Sequence, residues 1–176
     1  MREQQPMAAA TDAATPQQAL ASILARQRPD SLAVFSLNPV PDDLQQWCQQ
    51  HNCQLLHLSD PAPANRLAEL PRLAMVLVAD QLEYMTEQAG RELIGQLRHL
   101  HTDQLLVVYQ PALAAAPLRW SANGFLAMGL RCLGRFRQGE RELAIYGYQL
   151  DSYNFTRSWN NSRHWANPEN WGKYWW

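Results

Sequence analysis

Short apolar runs alternate with amphipathic stretches along most of the chain. Thr15-Pro16 opens a helix: Thr15 suits the cap, Pro16 the first turn, and Leu20, Ile23 and Leu24 recur at helical spacing before Pro29. Ser31–Leu37 is short and rich in strand formers, and Asn38-Pro39-Val40-Pro41 breaks it. Pro41 with Asp42 and Asp43 starts a second helix, its acids at the positive end and Leu44, Trp47 and Cys48 on its apolar face. Gln54–Leu58 predicts a second strand, closed by Ser59-Asp60-Pro61, and a short helix fills Ala64–Leu70. Leu73–Ala79 is apolar throughout and predicts a third strand. Thr86–His101 predicts a helix with Ala89, Leu93, Ile94, Leu97 and Leu100 inward, and Gln104–Tyr109 a fourth strand before Pro111. Leu118–Met128 predicts another helix, stopped by Gly129. Arg131–Gln138 and Glu142–Leu150 alternate around Gly139, as a β-hairpin does.

Strands that are apolar on both faces belong to a parallel sheet covered by helices. The pattern therefore predicts an α/β fold: three layers, Rossmann-like, with a mostly parallel sheet of about six strands and a C-terminal antiparallel strand pair. The first four strands are expected to be parallel neighbours. Residues 1–14 are small, polar and aperiodic, which predicts a disordered N-terminus; residues 15–150 form the α/β domain. Residues 151–176 differ from everything before. They hold eight aromatic rings, among them Trp159, Trp165 and Trp171, spaced by asparagines such as Asn154 and Asn160. So many rings need cover, and the segment is expected to pack back on the domain.

The 176 residues carry a net charge of −1 and are 47% hydrophobic and 18% charged, as one globular domain with a sizeable core would be. That balance excludes a globally basic nucleic-acid binder. The first of eight glycines is Gly90, so the first half holds no glycine-rich phosphate loop. The longest clean apolar run, Leu73–Ala79, is far short of the roughly 20 residues that span a bilayer, and no secretory signal is visible. Cys48, Cys53 and Cys132 are odd in number and lack metal-ligand spacing, which fits reduced thiols in the cytosol. His99 and His101 lie two apart and point apart on a helix, and His57 sits in a strand expected to be buried. Strand alternation places Arg131, Arg135 and Arg137 on one face of the hairpin, opposite Cys132 and Phe136.

In an open α/β sheet the carboxyl ends of the strands form the ligand crevice. Asn38, Asp60, Asp80 and Glu83 all follow predicted strands and are the candidate crevice residues; the acids are equally placed to cap the next helices. No catalytic set and no metal cluster stand out.

The stretch Val76-Leu77-Val78-Ala79-Asp80-Gln81-Leu82-Glu83-Tyr84-Met85 resembles the fourth-strand motif of class I S-adenosylmethionine-dependent methyltransferases, with Tyr84 where that family has histidine. Trp120-Ser121-Ala122-Asn123 opening a helix, and a terminal hairpin ending in Tyr148-Gln149-Leu150-Asp151, are similar to the same family. The resemblance covers roughly residues 30–150. The whole chain also resembles a small uncharacterised bacterial family with an Asn/Trp-rich end. The methyltransferase likeness implies strand order 2-1-4-5-7-6 in that family's labels, the seventh strand antiparallel and one strand-helix unit missing after Asp60. It also implies that Asp60 stands where an acid would hold the cofactor ribose. The family's cofactor turn is glycine-rich, whereas here it reads Ser36-Leu37-Asn38-Pro39. Proline removes an amide donor and blocks close approach. The expectation is a methyltransferase-like domain without cofactor or catalysis, acting by binding a protein partner or a small ligand. The alternatives are an active methyltransferase with an atypical S-adenosylmethionine loop, and a nucleotide or single-strand binder using the tail's rings.

Overall fold

A computed structural model describes residues 15–60, 67–139, 141–153, 162–164, 167–170 and 173. The expectation for residues 1–14 lies outside the described residues, and so does most of that for 151–176.

The elements run α1 (Pro16–Gln27), β1 (Ser31–Phe35), α2 (Asp42–Gln50), β2 (Gln54–Leu58), β3 (Met75–Ala79), α3 (Glu87–Gln96), β4 (Gln104–Tyr109), α4 (Ala122–Ala127), β5 (Arg131–Gln138), β6 (Arg141–Gln149) and α5 (Leu150–Tyr153). The strands form one six-stranded sheet in the order β2-β1-β3-β4-β6-β5. β2, β1, β3 and β4 are mutually parallel neighbours, and β6 runs antiparallel to both β4 and β5. Sheet order and strand directions follow the expected pattern.

Local chemistry sets the helix ends. Thr15 Oγ1 accepts from Gln18 N–H (3.2 Å), and α1 closes at Arg28 in the left-handed region. Thr86 caps α3 through Ala89 N–H, and Ser121 caps α4 through Gly124 N–H. That Ser121 cap makes the fourth helix shorter than the expected Leu118–Met128, since Ala116–Leu118 forms a separate 3-10 turn.

Alternation within β1, β3 and β4 divides the core in two. Ala33, Phe35, Val76, Val78, Leu105 and Val107 face α3 and α4, where Leu93, Ile94, Leu97 and Phe125 meet them. Leu32, Val34, Met75, Leu77 and Leu106 face α1 and α2.

Three expected placements change. In the third helix Ala89 and Leu100 are exposed, while Gly90 and His101 are buried. Ala89 and Leu100 occupy the same flank of the stripe, and a π-helical turn over Leu97–His101 carries Leu100 outward and His101 inward. β2 is an edge strand with His57 exposed, because nothing among the described residues pairs with its outer side. In β5 a bulge between Cys132 and Gly134 breaks the alternation. Cys132 opposes Tyr146 and Arg135 opposes Ala144, so both share one face; Arg131 opposes Gly147 and takes the other. Cys132 is therefore exposed, and Leu133 is buried in its place.

Candidate functional site

The four parallel strands end together, and the loop after β3 ties their ends to one another. Asp80, the first loop residue, has φ +52°. That left-handed turn is one that asparagine and aspartate tolerate better than most residues. Its Oδ2 accepts from Ser36 Oγ (3.3 Å) and from Asn38 Nδ2 (2.9 Å), both in the turn after β1. Ser36 Oγ in turn accepts the Asn38 backbone N–H (3.1 Å). Gln81, buried, donates from Nε2 to the Asp60 carbonyl (3.3 Å) beyond β2. Glu83 is only 1% exposed, and its Oε1 accepts the Gln110 N–H (2.7 Å) just past β4. Three residues of one loop thus reach the ends of β1, β2 and β4.

The structure brings Asn38 and Asp80 into direct contact and places Asp60 and Glu83 on either side, each through a different loop residue. The helix that follows Asp80 and Glu83, α3, is capped by Thr86 and not by either acid. Ser36, Gln81 and Gln110 complete the site and were not singled out from the sequence as site residues. The signal for Ser36 is a polar residue directly after an apolar strand, and Gln81 stands second after β3, next to Asp80. His57 Nε2 lies 3.1 Å from the Ser36 carbonyl, so the same turn is also held from β2.

Burial raises the Glu83 carboxyl above its ordinary value, and the nearby Asp80 charge adds to the rise; hydrogen bonds from backbone N–H groups oppose it. Its Oε2 finds no hydrogen-bond partner among the described residues. Tyr109 Oη accepts the Trp120 backbone N–H (2.8 Å), and burial raises the Tyr109 hydroxyl as well. Trp120, Phe125 and Tyr146 stack in series, with centroids 4.9 and 4.1 Å apart.

The S-adenosylmethionine that the sequence resemblance implies does not fit the turn after β1. The Asn38 N–H is already bound to Ser36, Pro39 has no N–H, and the Asp80 carboxylate lies across the turn. A cleft of about 490 Å³ opens beside this turn on the α2 side, between Pro39, Val40, His57 and Ser59. Among the described residues no group of His, Cys, Asp or Glu could hold a metal ion, and no helix is long and apolar enough to cross a membrane. Arg131, Arg135 and Arg137 of the hairpin do not form one track. Arg135 and Arg137 share Glu142 at 3.7 and 3.8 Å, and Arg131 faces the other way. Cys48 and Cys53 are buried, and burial followed by the neighbouring Cys48 pushes Cys53 up to about 12.

Residues 14–176 match the model of a family described as "Family of unknown function (DUF6231)". No curated protein matches the sequence. Among solved structures, the chain is similar to the N-terminal domain of EvdMO1 with SAH bound. Identity is 10%, coverage is 76% of this chain and 79% of that one, and the TM-score is 0.52. It is also similar to an O-methyltransferase family protein from Burkholderia thailandensis. There identity is 17%, 76% of this chain is covered and the TM-score is 0.42; the match spans 48% of that protein's length. At these identities the likeness concerns the fold, which is methyltransferase-like.

Proposed function

We propose that this chain, which belongs to the DUF6231 family, is a methyltransferase-like domain that works without S-adenosylmethionine, by binding a protein partner or a small ligand. The observation that carries this reading is the Asp80 carboxylate bonded to Ser36 and Asn38. A cofactor in this crevice needs free backbone donors after β1 and room above them. Here the donor is engaged by a side chain, the next residue is proline, and no glycine allows close approach. Asn38, Asp60, Asp80 and Glu83 are then structural groups that fasten the strand ends. The aromatic segment 151–176 belongs to the same reading as a cover packed on the domain. The odd number of thiols, two of them buried, fits a reducing cytosol.

A second reading, an active methyltransferase with an atypical loop, is favoured by the likeness to a domain with SAH bound. Calorimetric titration and thermal shift with S-adenosylmethionine and S-adenosylhomocysteine separate the two. The expected result is no heat and no change in melting temperature at millimolar ligand. Saturable binding that Asp60→Ala weakens would overturn the first reading and put the second in its place.

A further inference from the structure

We propose that the outer edge of β2, which no strand among the described residues pairs with, pairs with β2 of a second copy, in antiparallel register about a two-fold axis at Leu56, joining two sheets into one. This stands independently of whether a cofactor binds.

The hydrogen-bond directions of β2 set the register. Gln54 N–H donates to the Asp30 carbonyl (2.8 Å), and the Leu58 carbonyl accepts from Ser36 N–H (3.1 Å). Backbone groups of successive strand residues point to opposite sides, so Gln54, Leu56 and Leu58 are turned to β1. The N–H and carbonyl groups of Leu55 and His57 therefore point outward. Among the described residues no backbone hydrogen bond reaches them. These two residues flank Leu56 symmetrically. Antiparallel pairing centred there places Leu55 opposite His57 of the second copy, and His57 opposite its Leu55. Both are pairs that exchange two hydrogen bonds, so all outward groups of the two strands are satisfied together.

Charge selects this edge over the other. Edge strands are commonly guarded by charges or bulges. β5 has both: Arg131, Arg135 and Arg137, with the bulge at Cys132/Gly134. Self-pairing along β5 would set arginines against arginines. β2 reads Gln-Leu-Leu-His-Leu, with no formal charge when His57 is neutral, and it is regular along its length. An isologous contact needs a surface compatible with itself, and an uncharged strand meets that condition.

Space beside the strand fits the same occupant. Leu56 and Leu58 look onto a cleft of about 410 Å³, bounded across from them by Leu70 and Pro71. On the opposite face Leu55 and His57 border the 490 Å³ cleft. An added strand delivers alternate side chains to the two faces. A second β2 would bring Leu56 and Leu58 to one and Leu55 and His57 to the other.

The test is the mass of the full-length protein by size exclusion with light scattering at rising concentration. The expected end point is twice the 20.1 kDa chain mass. His57→Pro removes an outward N–H from an exposed edge position, where proline leaves the β1 ladder intact. It should return the protein to the single-chain mass with unchanged far-UV circular dichroism, whereas His57→Ala should stay dimeric. Leu56→Cys in a Cys132→Ser background reads the register without depending on that variant's folding. The two-fold sets the two introduced thiols face to face, and oxidised glutathione should link chains through them, two thiols giving one disulfide as glutathione disulfide is reduced. Leu55→Cys in the same background, opposite His57, should link far more slowly. A wild-type protein monomeric at every concentration overturns the proposal. So does a His57→Pro dimer, or equal linking at positions 55 and 56.

Discussion

Gly90 and Gly95 both lie in α3, five residues apart, and replacing Gly90 by alanine should leave the protein less stable than replacing Gly95. A Cβ on Gly90 would stand 2.4 Å from Trp120 Cζ2 and 3.1 Å from Leu82 Cδ2, whereas one on Gly95 meets nothing within 4 Å. Trp120 is 4% exposed and stacked on Phe125, so its ring has no free volume to turn into. Relieving a 2.4 Å contact needs a shift of about 0.6 Å even to reach the 3.0 Å that real contacts respect, in a close-packed layer. Such overpacking costs about 1–3 kcal/mol. Both substitutions gain the same helix preference of alanine over glycine, about 1 kcal/mol. Gly95→Ala should therefore stabilise by about 1 kcal/mol, and Gly90→Ala should fall below it by about 1–3 kcal/mol. With a urea slope of about 1–3 kcal/mol/M, the two midpoints should differ by roughly 1 M. Urea titrations of wild type and both variants at equal protein concentration, followed by circular dichroism, measure this. A Gly90→Ala midpoint equal to or above that of Gly95→Ala would refute the packing of α3 on Trp120.

Glu83 gives a pH signature. Its folded-state pKa is raised by burial, so the folded protein keeps this proton above the ordinary value near 4.5. The Glu83 contribution is then fully present below that value and is lost as pH rises through the raised one. Glu83→Gln keeps a carbonyl for the Gln110 N–H and cannot ionise, so its denaturation midpoint should decline less than wild type from pH 4.5 upward. Parallel profiles would show that Glu83 titrates normally. Deleting residues 157–176 tests the cover: the shortened protein should melt lower or aggregate, because each large ring buried is worth about 2 kcal/mol before ordering entropy. An unchanged melting temperature in a soluble truncated protein would make partner binding the leading role of those rings.

What the sequence by itself determined is what depends on near neighbours along the chain. Continuous apolar runs made Ser31, Gln54, Leu73 and Gln104 the starts of four parallel strands, and three of these starts agree with the structure to the residue. The third begins two residues later, at Met75, with Leu73 kept as an isolated bridge to Thr102. Thr15-Pro16 and Gly129 ended helices for reasons internal to each turn. The candidate site was legible as a location, since strand ends converge wherever parallel strands are aligned, and Asn38, Asp60, Asp80 and Glu83 all lie there. Their roles were not legible. Whether Asp80 is open to a ligand or closed on Ser36 depends on a contact 44 residues away in the chain. His57 became exposed because β2 ended as a sheet edge, a property of strand order that no local pattern encodes. The bulge at Cys132/Gly134 and the π turn at Leu97–His101 each shifted one residue of register. A single extra residue exchanges the faces of a strand and rotates the end of a helix, so periodicity names the right side chains and tertiary packing decides which of them turn inward.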